Sequence, residues 1–398
     1  MPASKSTMED TSPKPGDAGA ERFVFVDGLR AVAALMVMAY HMIDCTVMAL
    51  PLASIMPENL QILWTYGMHG VQIFFVISGF VIAHSLRNVE PTGKEIGNFI
   101  VRRQLRLDPP YWLTMAAILL LRATEGHFLG LKDRGAFGPG VVGLNMLYLQ
   151  NLTGITQIVG VGWTLCLEIQ FYLVFILIMA LARKISQAHE RGVAAVLVFG
   201  LGLVSLAVSP DQPNVSIFLP FWFYFAAGVL CYWCVKGGLR PILFMVFAIL
   251  MLVTMLVQRR SPGFLPEVLN AEWVGLATAL ALFWAGRTGH LADWLGGRAF
   301  RYFGRISYSL YLVHFPLVSL VTRAGYKLTG PNPWLGICWN VVGAIMSVAS
   351  ADLFFRMVEQ PSMRLAARFK RRPAPVVRPQ SVIAAETGAA SELNPVPS

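Results

Sequence analysis

Arg30 and His41 stand eleven positions apart, separated by a stretch, Ala31 to Tyr40, that is almost wholly apolar. On an α-helix eleven steps of about 100° end about 20° past three full turns. Both side chains then share one face, roughly 16 Å apart along the axis. Ionisable groups inside a bilayer are costly, so each is a candidate for function. The plain alternative is an arginine that snorkels to the interface and a packed core histidine. Arg102, Arg103 and Arg106 cluster just before Pro109-Pro110. They read either as anchoring charges or as a clamp for phosphate, whose oxygens match the guanidinium fork. Trp163 to Tyr172 carries Glu168 in an aromatic-rich span entrance, and Gly304 to His314 carries His314 deep in another apolar stretch. Ser78-Gly79 puts a small, hydrogen-bonding patch on an apolar helix, which is read first as close helix packing. A glutamate near a histidine can orient it, and His41 and Glu168 are expected at similar outer depths. Two chemistries fit these residues. One is an enzyme that takes a phosphate-bearing donor at an arginine-rich mouth and reacts it deeper in. The other is a proton-coupled transporter, or a partner of an exporter, with His41, Glu168 and His314 as relay.

The elements that position these residues are apolar and long. Of 398 residues, 56% are hydrophobic and 14% charged, against about 25% charged in soluble domains, and the mean hydropathy is +0.58. Disordered, collagenous, coiled-coil and disulfide-scaffold classes are excluded. An all-α polytopic membrane protein is expected. Its ten apolar stretches are roughly 27–49, 67–86, 109–121, 163–182, 192–208, 217–235, 240–257, 271–286, 303–322 and 334–357. The segment 136–160 is too polar to span easily and is expected as an external or re-entrant loop.

The net charge of +10 reads as membrane orientation rather than nucleic-acid binding, because the basic residues sit in short runs between apolar stretches. With the N-terminus cytoplasmic, 24 of the 32 Lys and Arg residues fall in inside segments and 7 outside, with Arg30 in the first span. This predicts ten transmembrane helices with both termini cytoplasmic. Residues 1–22 are polar, without the apolar core of a signal peptide, and are expected as a disordered cytoplasmic tail. Residues 23–364 form the membrane domain, and 365–398 a polar cytoplasmic tail. Cys231 and Cys234 have CxxC spacing but no second pair and no nearby histidine, so they and the other three cysteines are read as packing residues. Asn151 and Asn214 head glycosylation sequons in predicted outside segments.

In this order the motifs resemble those of the acyltransferase 3 family of integral membrane O-acyltransferases. The match is carried by Arg30 and His41 in a D-G-L-R-A opening, F-F-x-x-S-G-F at 74–80, and the arginine cluster before Pro-Tyr at 102–111. It continues with W-T-L-x-x-E at 163–168 followed by Gln170-Phe171-Tyr172, I-S-Y-S-L-Y-L-V-H at 306–314, and Glu359-Gln360-Pro361. Two departures stand out. Ile169 follows Glu168 where a second glutamate is common, and Gln360 stands where a basic residue is frequent. The fused extracytoplasmic hydrolase-like domain of some members is not expected here.

The resemblance implies a bacterial inner-membrane, multi-pass enzyme. It would move an acyl group, acetyl or succinyl, from cytoplasmic acyl-CoA to a hydroxyl of a cell-surface or exported glycan, directly or through a separate extracytoplasmic partner. Acyl-CoA would be a co-substrate, with no tightly bound cofactor or metal expected, and membrane lipid would be the remaining partner. Arg102, Arg103 and Arg106 would hold the CoA phosphates with Arg30 nearby, and the pantetheine arm is comparable in length with the Arg30–His41 rise. His41 would act as general base or transient acyl carrier, and Glu168 would orient it or bind the acceptor. Ser78, Trp163, Tyr172 and His314 would contact substrate.

Overall fold

The computed structural model of the chain describes residues 23–87, 92–129, 137–208, 217–258 and 266–369. The tails at 1–22 and 370–398 and the sequon at Asn214 lie outside the described residues. Among the described residues every regular element is helical. Each apolar stretch forms one long helix. These are α1 Val24–Ile43, α2 Gly70–Ser85, α3 Gly93–Leu129, α4 Trp163–Ile185, α5 Glu190–Ala207, α6 Trp222–Val235, α7 Pro241–Gln258, α8 Pro266–Thr288, α9 Arg298–Thr329 and α10 Pro333–Phe354. A π-helical turn, Phe355–Glu359, joins α10 to α11, Gln360–Ala367. Helical structure thus continues past residue 364, where the sequence reading placed the start of the tail.

Five helical segments are long and apolar enough to cross a membrane: Val24–Ile43, Glu58–Ser85, Trp163–Ile185, Glu190–Ala207 and Pro333–Ala367. The others fall short for separate reasons. The 14-residue α6 rises about 21 Å, less than the roughly 30 Å of a hydrocarbon core. It is enclosed by protein, with every residue from Trp222 to Cys234 buried. Helix α9 opens with Arg298, Arg301 and Arg305. Helix α3 is 37 residues long, but only its second half, from Pro109, is apolar. The first half, which includes Lys94, Glu95 and the arginine cluster, is made of good helix formers. Pro109 and Pro110 sit inside this helix, and the Thr114 hydroxyl donates to Pro110 O at 2.9 Å.

Small residues set the helix approaches. Ala31, Ala33 and Ala34 are fully buried on α1, and a Cβ at Gly70 would lie 2.5 Å from Ala33 O. Gly79 on α2 packs against the backbone of Phe225 on α6, while Gly228 on α6 packs against Val76 on α2. Ser78 and Gly79 therefore divide their work. The glycine admits α6, and the serine, about 100° around the helix from it, bonds to α4. At α10, Asn332 caps the start by accepting from Trp334 N and Leu335 N at 3.0 and 3.2 Å, with Pro333 at the first helical position.

The polar segment before α4 folds as two short helices, Pro139–Met146 and Gln150–Thr153. Its buried carboxamides hold it together. Asn145 Nδ2 donates to Val141 O and Thr156 O, and its Oδ1 accepts from Ile158 N at 3.0 Å. Asn151 Nδ2 donates to Trp163 O at 3.0 Å. The backbone groups are thereby satisfied by protein. Between α1 and α2 the chain forms Ala49–Ala53 and Glu58–Thr65, pinned to the end of α1 where Trp64 Nε1 donates to Ala39 O at 2.8 Å.

Candidate active site

Helices α1, α2, α3, α4 and α9 and the π-helical turn enclose a cavity of about 340 Å³. Four arginines line it: Arg30, Arg103, Arg106 and Arg305. Three carboxylates, Asp27, Glu168 and Glu359, face them. Arg30 Nη1 lies 3.8 Å from Asp27 Oδ1, one turn earlier on α1. Arg103 Nη2 lies 3.9 Å from Glu168 Oε1 and donates to the Tyr172 hydroxyl, and its guanidinium sits 4.3 Å above the Tyr172 ring. The Tyr172 hydroxyl in turn donates to Glu168 Oε1, which also accepts from Ser78 Oγ at 2.8 Å. Three helices are thus tied together through one carboxylate oxygen.

Not every donor is used. Arg103 Nε is buried with no hydrogen-bond partner, and Arg106 makes no ion pair within 4 Å among the described residues. A buried donor without an acceptor costs about 1–3 kcal/mol, and the four arginines leave the cavity lining with one more positive than negative charge. Positions 103 and 106 share a helix face. Arg102, about 100° around α3, is half-buried and does not line the cavity.

Glu359 is 2% exposed. It accepts on Oε2 from both Ser309 Oγ, at 2.6 Å, and Ser309 N, at 3.2 Å. The π-helical turn that carries it adds one residue to the local repeat, a device found often at functional sites. Tyr308 crosses to α3, donating to Leu107 O at 2.9 Å.

The deep end of the cavity is closed by Phe74, Thr164 and Tyr311. The Tyr311 and Thr164 hydroxyls lie 2.8 Å apart, and the Phe74 and Tyr311 rings meet edge to face at 5.6 Å. One turn beyond Tyr311 is His314, completely buried, and against it His41. His314 Nε2 lies 3.3 Å from His41 Nδ1. Each Nδ1 also lies 2.8 Å from a carbonyl of its own helix, Val37 O for His41 and Leu310 O for His314. A carbonyl only accepts, so both Nδ1 atoms carry the proton. His314 Nε2 is then the acceptor of the His41 Nδ1–H, and the lone pair of His41 is on Nε2. With both rings neutral, these partners place the His41 proton on Nδ1 and leave Nε2 as the unprotonated nitrogen.

Of the residues singled out in the sequence, the structure brings Arg30, Ser78, Arg103, Arg106, Glu168 and Tyr172 together, and His41 and His314 together a turn away. No hydrogen bond or ion pair joins Glu168 to His41. The glutamate holds Arg103, and the histidine is held by His314 and Val37. Trp163 stays outside the cavity, packed on Phe75 and Phe221 with ring centroids 6.5 and 6.1 Å away. Sequence reasoning missed Asp27, Thr164, Arg305, Tyr308, Tyr311 and Glu359 as lining residues. A signal existed for α9, since 304, 307, 308, 311 and 314 fall on one helical face.

The family model of the acyltransferase 3 domain matches residues 23–356. The acyltransferase MdmB of Streptomyces mycarofaciens is 26% identical over 395 residues, covering 88% of this chain and 94% of that protein. The exopolysaccharide production protein ExoZ of Rhizobium meliloti is 26% identical over 323 residues, covering 76% of this chain and 91% of its own length. The peptidoglycan O-acetyltransferase OatA of Listeria monocytogenes is 24% identical over 371 residues, and this chain spans 55% of its length. No solved structure matches the chain. The family match takes in both histidines and the helices that line the cavity as far as residue 356, and by it the chain belongs to the acyltransferase 3 family of membrane-embedded O-acyltransferases.

Proposed function

We propose that the protein transfers an acyl group, acetyl or succinyl, from cytoplasmic acyl-CoA to a hydroxyl of a cell-surface or exported glycan. The observation that carries this reading is the base-ready His41–His314 pair one helical turn beyond an arginine-lined cavity. The CoA phosphates bind Arg30, Arg103 and Arg106, of which Arg106 has no ion pair among the described residues. The arm carrying the thioester runs toward His41, roughly 16 Å along α1 from Arg30, which requires Tyr311 or Phe74 to move aside. The acceptor hydroxyl oxygen attacks the thioester carbonyl as its proton passes to His41 Nε2. The CoA thiolate then leaves and takes that proton, and the ester remains on the acceptor. In the alternative order His41 takes the acyl group first. Glu168 acts through Arg103, setting the guanidinium that binds the donor.

A glycan acceptor is favoured by the names of two relatives, one acting on peptidoglycan and one in exopolysaccharide production. The surrounding topology is ten spans with both termini in the cytoplasm of a bacterial cell, the enzyme completing transfer itself or passing the acyl group to a separate extracytoplasmic partner. A proton-coupled transporter is not favoured, because the relatives are named for acyl transfer.

The test uses membranes containing the protein, labelled acetyl-CoA or succinyl-CoA, and the host's glycan fraction. Release of free CoA thiol in step with label entering the glycan is expected. Label transfer without thiol release, or neither with both donors and acceptor present, would overturn the donor assignment.

A further inference from the structure

A second cavity, of about 380 Å³, shares no lining residue with the first. Its mouth carries Arg87 from the end of α2, Arg183 from the last turn of α4, and Glu190 with Arg191 from the first turn of α5. These three helix ends lie at one end of the bundle, and α2, α4 and α5 all belong to segments apolar enough to cross a membrane. The mouth is therefore at the level where hydrocarbon gives way to head groups. Its floor is apolar: Leu86, Phe175 and Trp233 are all buried. Phe175, Met179 and Arg183 follow one another at four-residue spacing on α4, so the slot runs about 12 Å along that helix from its charged mouth to its aromatic base.

The charges are unequal. Three arginines face one glutamate, leaving the mouth with an excess of two positive charges. Arg87 is aimed by its own helix, with Nη1 donating to His84 O at 2.8 Å. Arg191 Nη1 donates to Gly237 O. Arg183 has no ion pair or hydrogen bond among the described residues. Arginines, with Gln187, around the mouth of a slot whose floor is apolar suit a ligand with an anionic head and an apolar tail. A free phosphate would leave the floor unfilled, and a neutral lipid would leave the charge unmatched.

We propose that this slot binds an anionic phospholipid, with the phosphate at Arg87, Arg183 and Arg191 and the first part of an acyl chain along Met179 and Phe175. Arg183 supplies the free guanidinium. Glu190 sets the selectivity by repelling an anion that lacks the tail to hold it in place.

The test takes the full-length protein in a neutral detergent and measures binding of phosphatidylglycerol, phosphatidylcholine and glycerol phosphate by native mass spectrometry. Phosphatidylglycerol should bind at least tenfold tighter than phosphatidylcholine, and glycerol phosphate should not be retained. Arg87→Gln and Arg183→Gln should each weaken phosphatidylglycerol binding about tenfold, the loss expected when a charge-assisted hydrogen bond is removed. Glu190→Gln should strengthen it several-fold, a gain that misfolding cannot imitate. Arg106→Ala, in the other cavity, should leave it unchanged. The proposal is overturned if the two lipids bind alike, if glycerol phosphate binds as well as phosphatidylglycerol, or if neither arginine variant weakens binding. It is equally overturned if Glu190→Gln weakens binding, or if coenzyme A displaces the lipid, which would make the slot a nucleotide site.

Discussion

At the scale of the residue, the proposed chemistry turns on which nitrogen of His41 holds its proton. The Val37 carbonyl and His314 Nε2 both lie within reach of Nδ1, so removing His314 takes away one of two restraints on the ring. His314→Ala should lower kcat by about tenfold, the effect of about 1.4 kcal/mol. The KM for acyl-CoA should stay where it was, because His314 is outside the cavity. A rise in KM with unchanged kcat would instead make it a donor-binding residue. The arginines should behave in the opposite way. Arg106→Ala should raise the KM for acyl-CoA by 10- to 100-fold, as expected for loss of charge-assisted bonds, and Arg102→Ala should do little, since it does not line the cavity. Initial rates against donor concentration separate the two. The sequence reading groups Arg102 with 103 and 106 as one clamp, while the placing of Arg30 and His41 on one face was legible from helical periodicity. The Glu168–Arg103 pairing was not. It joins α3 to α4 across 65 positions of chain, and no local pattern encodes a tertiary ion pair.

At the scale of the element, two glycines carry the packing of α2 on α6. A Cβ at Gly79 or Gly228 would run into the partner's backbone, so neither helix can relieve the clash by a rotamer change. Gly79→Ala or Gly228→Ala should destabilise the folded protein by about 1–3 kcal/mol, seen as a lower thermal midpoint in detergent. Gly200→Ala on α5 meets nothing within 4 Å. It should be neutral or stabilising by up to about 1 kcal/mol. A loss at Gly200 equal to that at Gly79 would mean that close approach is not the cause. The sequence marked the Ser78-Gly79 pair as a packing surface but could not divide it, because which neighbour meets which face is a tertiary fact. The third apolar stretch was seen only from Pro109 because hydropathy registers the lipid-compatible half of α3. The half that carries Arg103 and Arg106 is helical for reasons of propensity and is polar because it lines the cavity.

At the scale of the whole molecule, the apolar stretches were read from composition, and each forms a helix. Their number as membrane crossings is a different question. Burial lets α6 be short, and a charged opening lets α9 start outside hydrocarbon, so length and hydropathy alone mark five segments. The distribution of Lys and Arg predicts an even number of crossings. A reporter active only in the cytoplasm, fused after residue 369, should therefore be active, and a periplasm-dependent one should not. The reverse pattern would require an odd number of crossings. The central claim is that His41 is the base or acyl carrier of the transfer, and membranes carrying His41→Ala at wild-type abundance test it most directly. Acyl transfer from labelled acyl-CoA to the glycan fraction should fall by a factor of about 10²–10⁴. Retention of most of the wild-type rate would contradict the account.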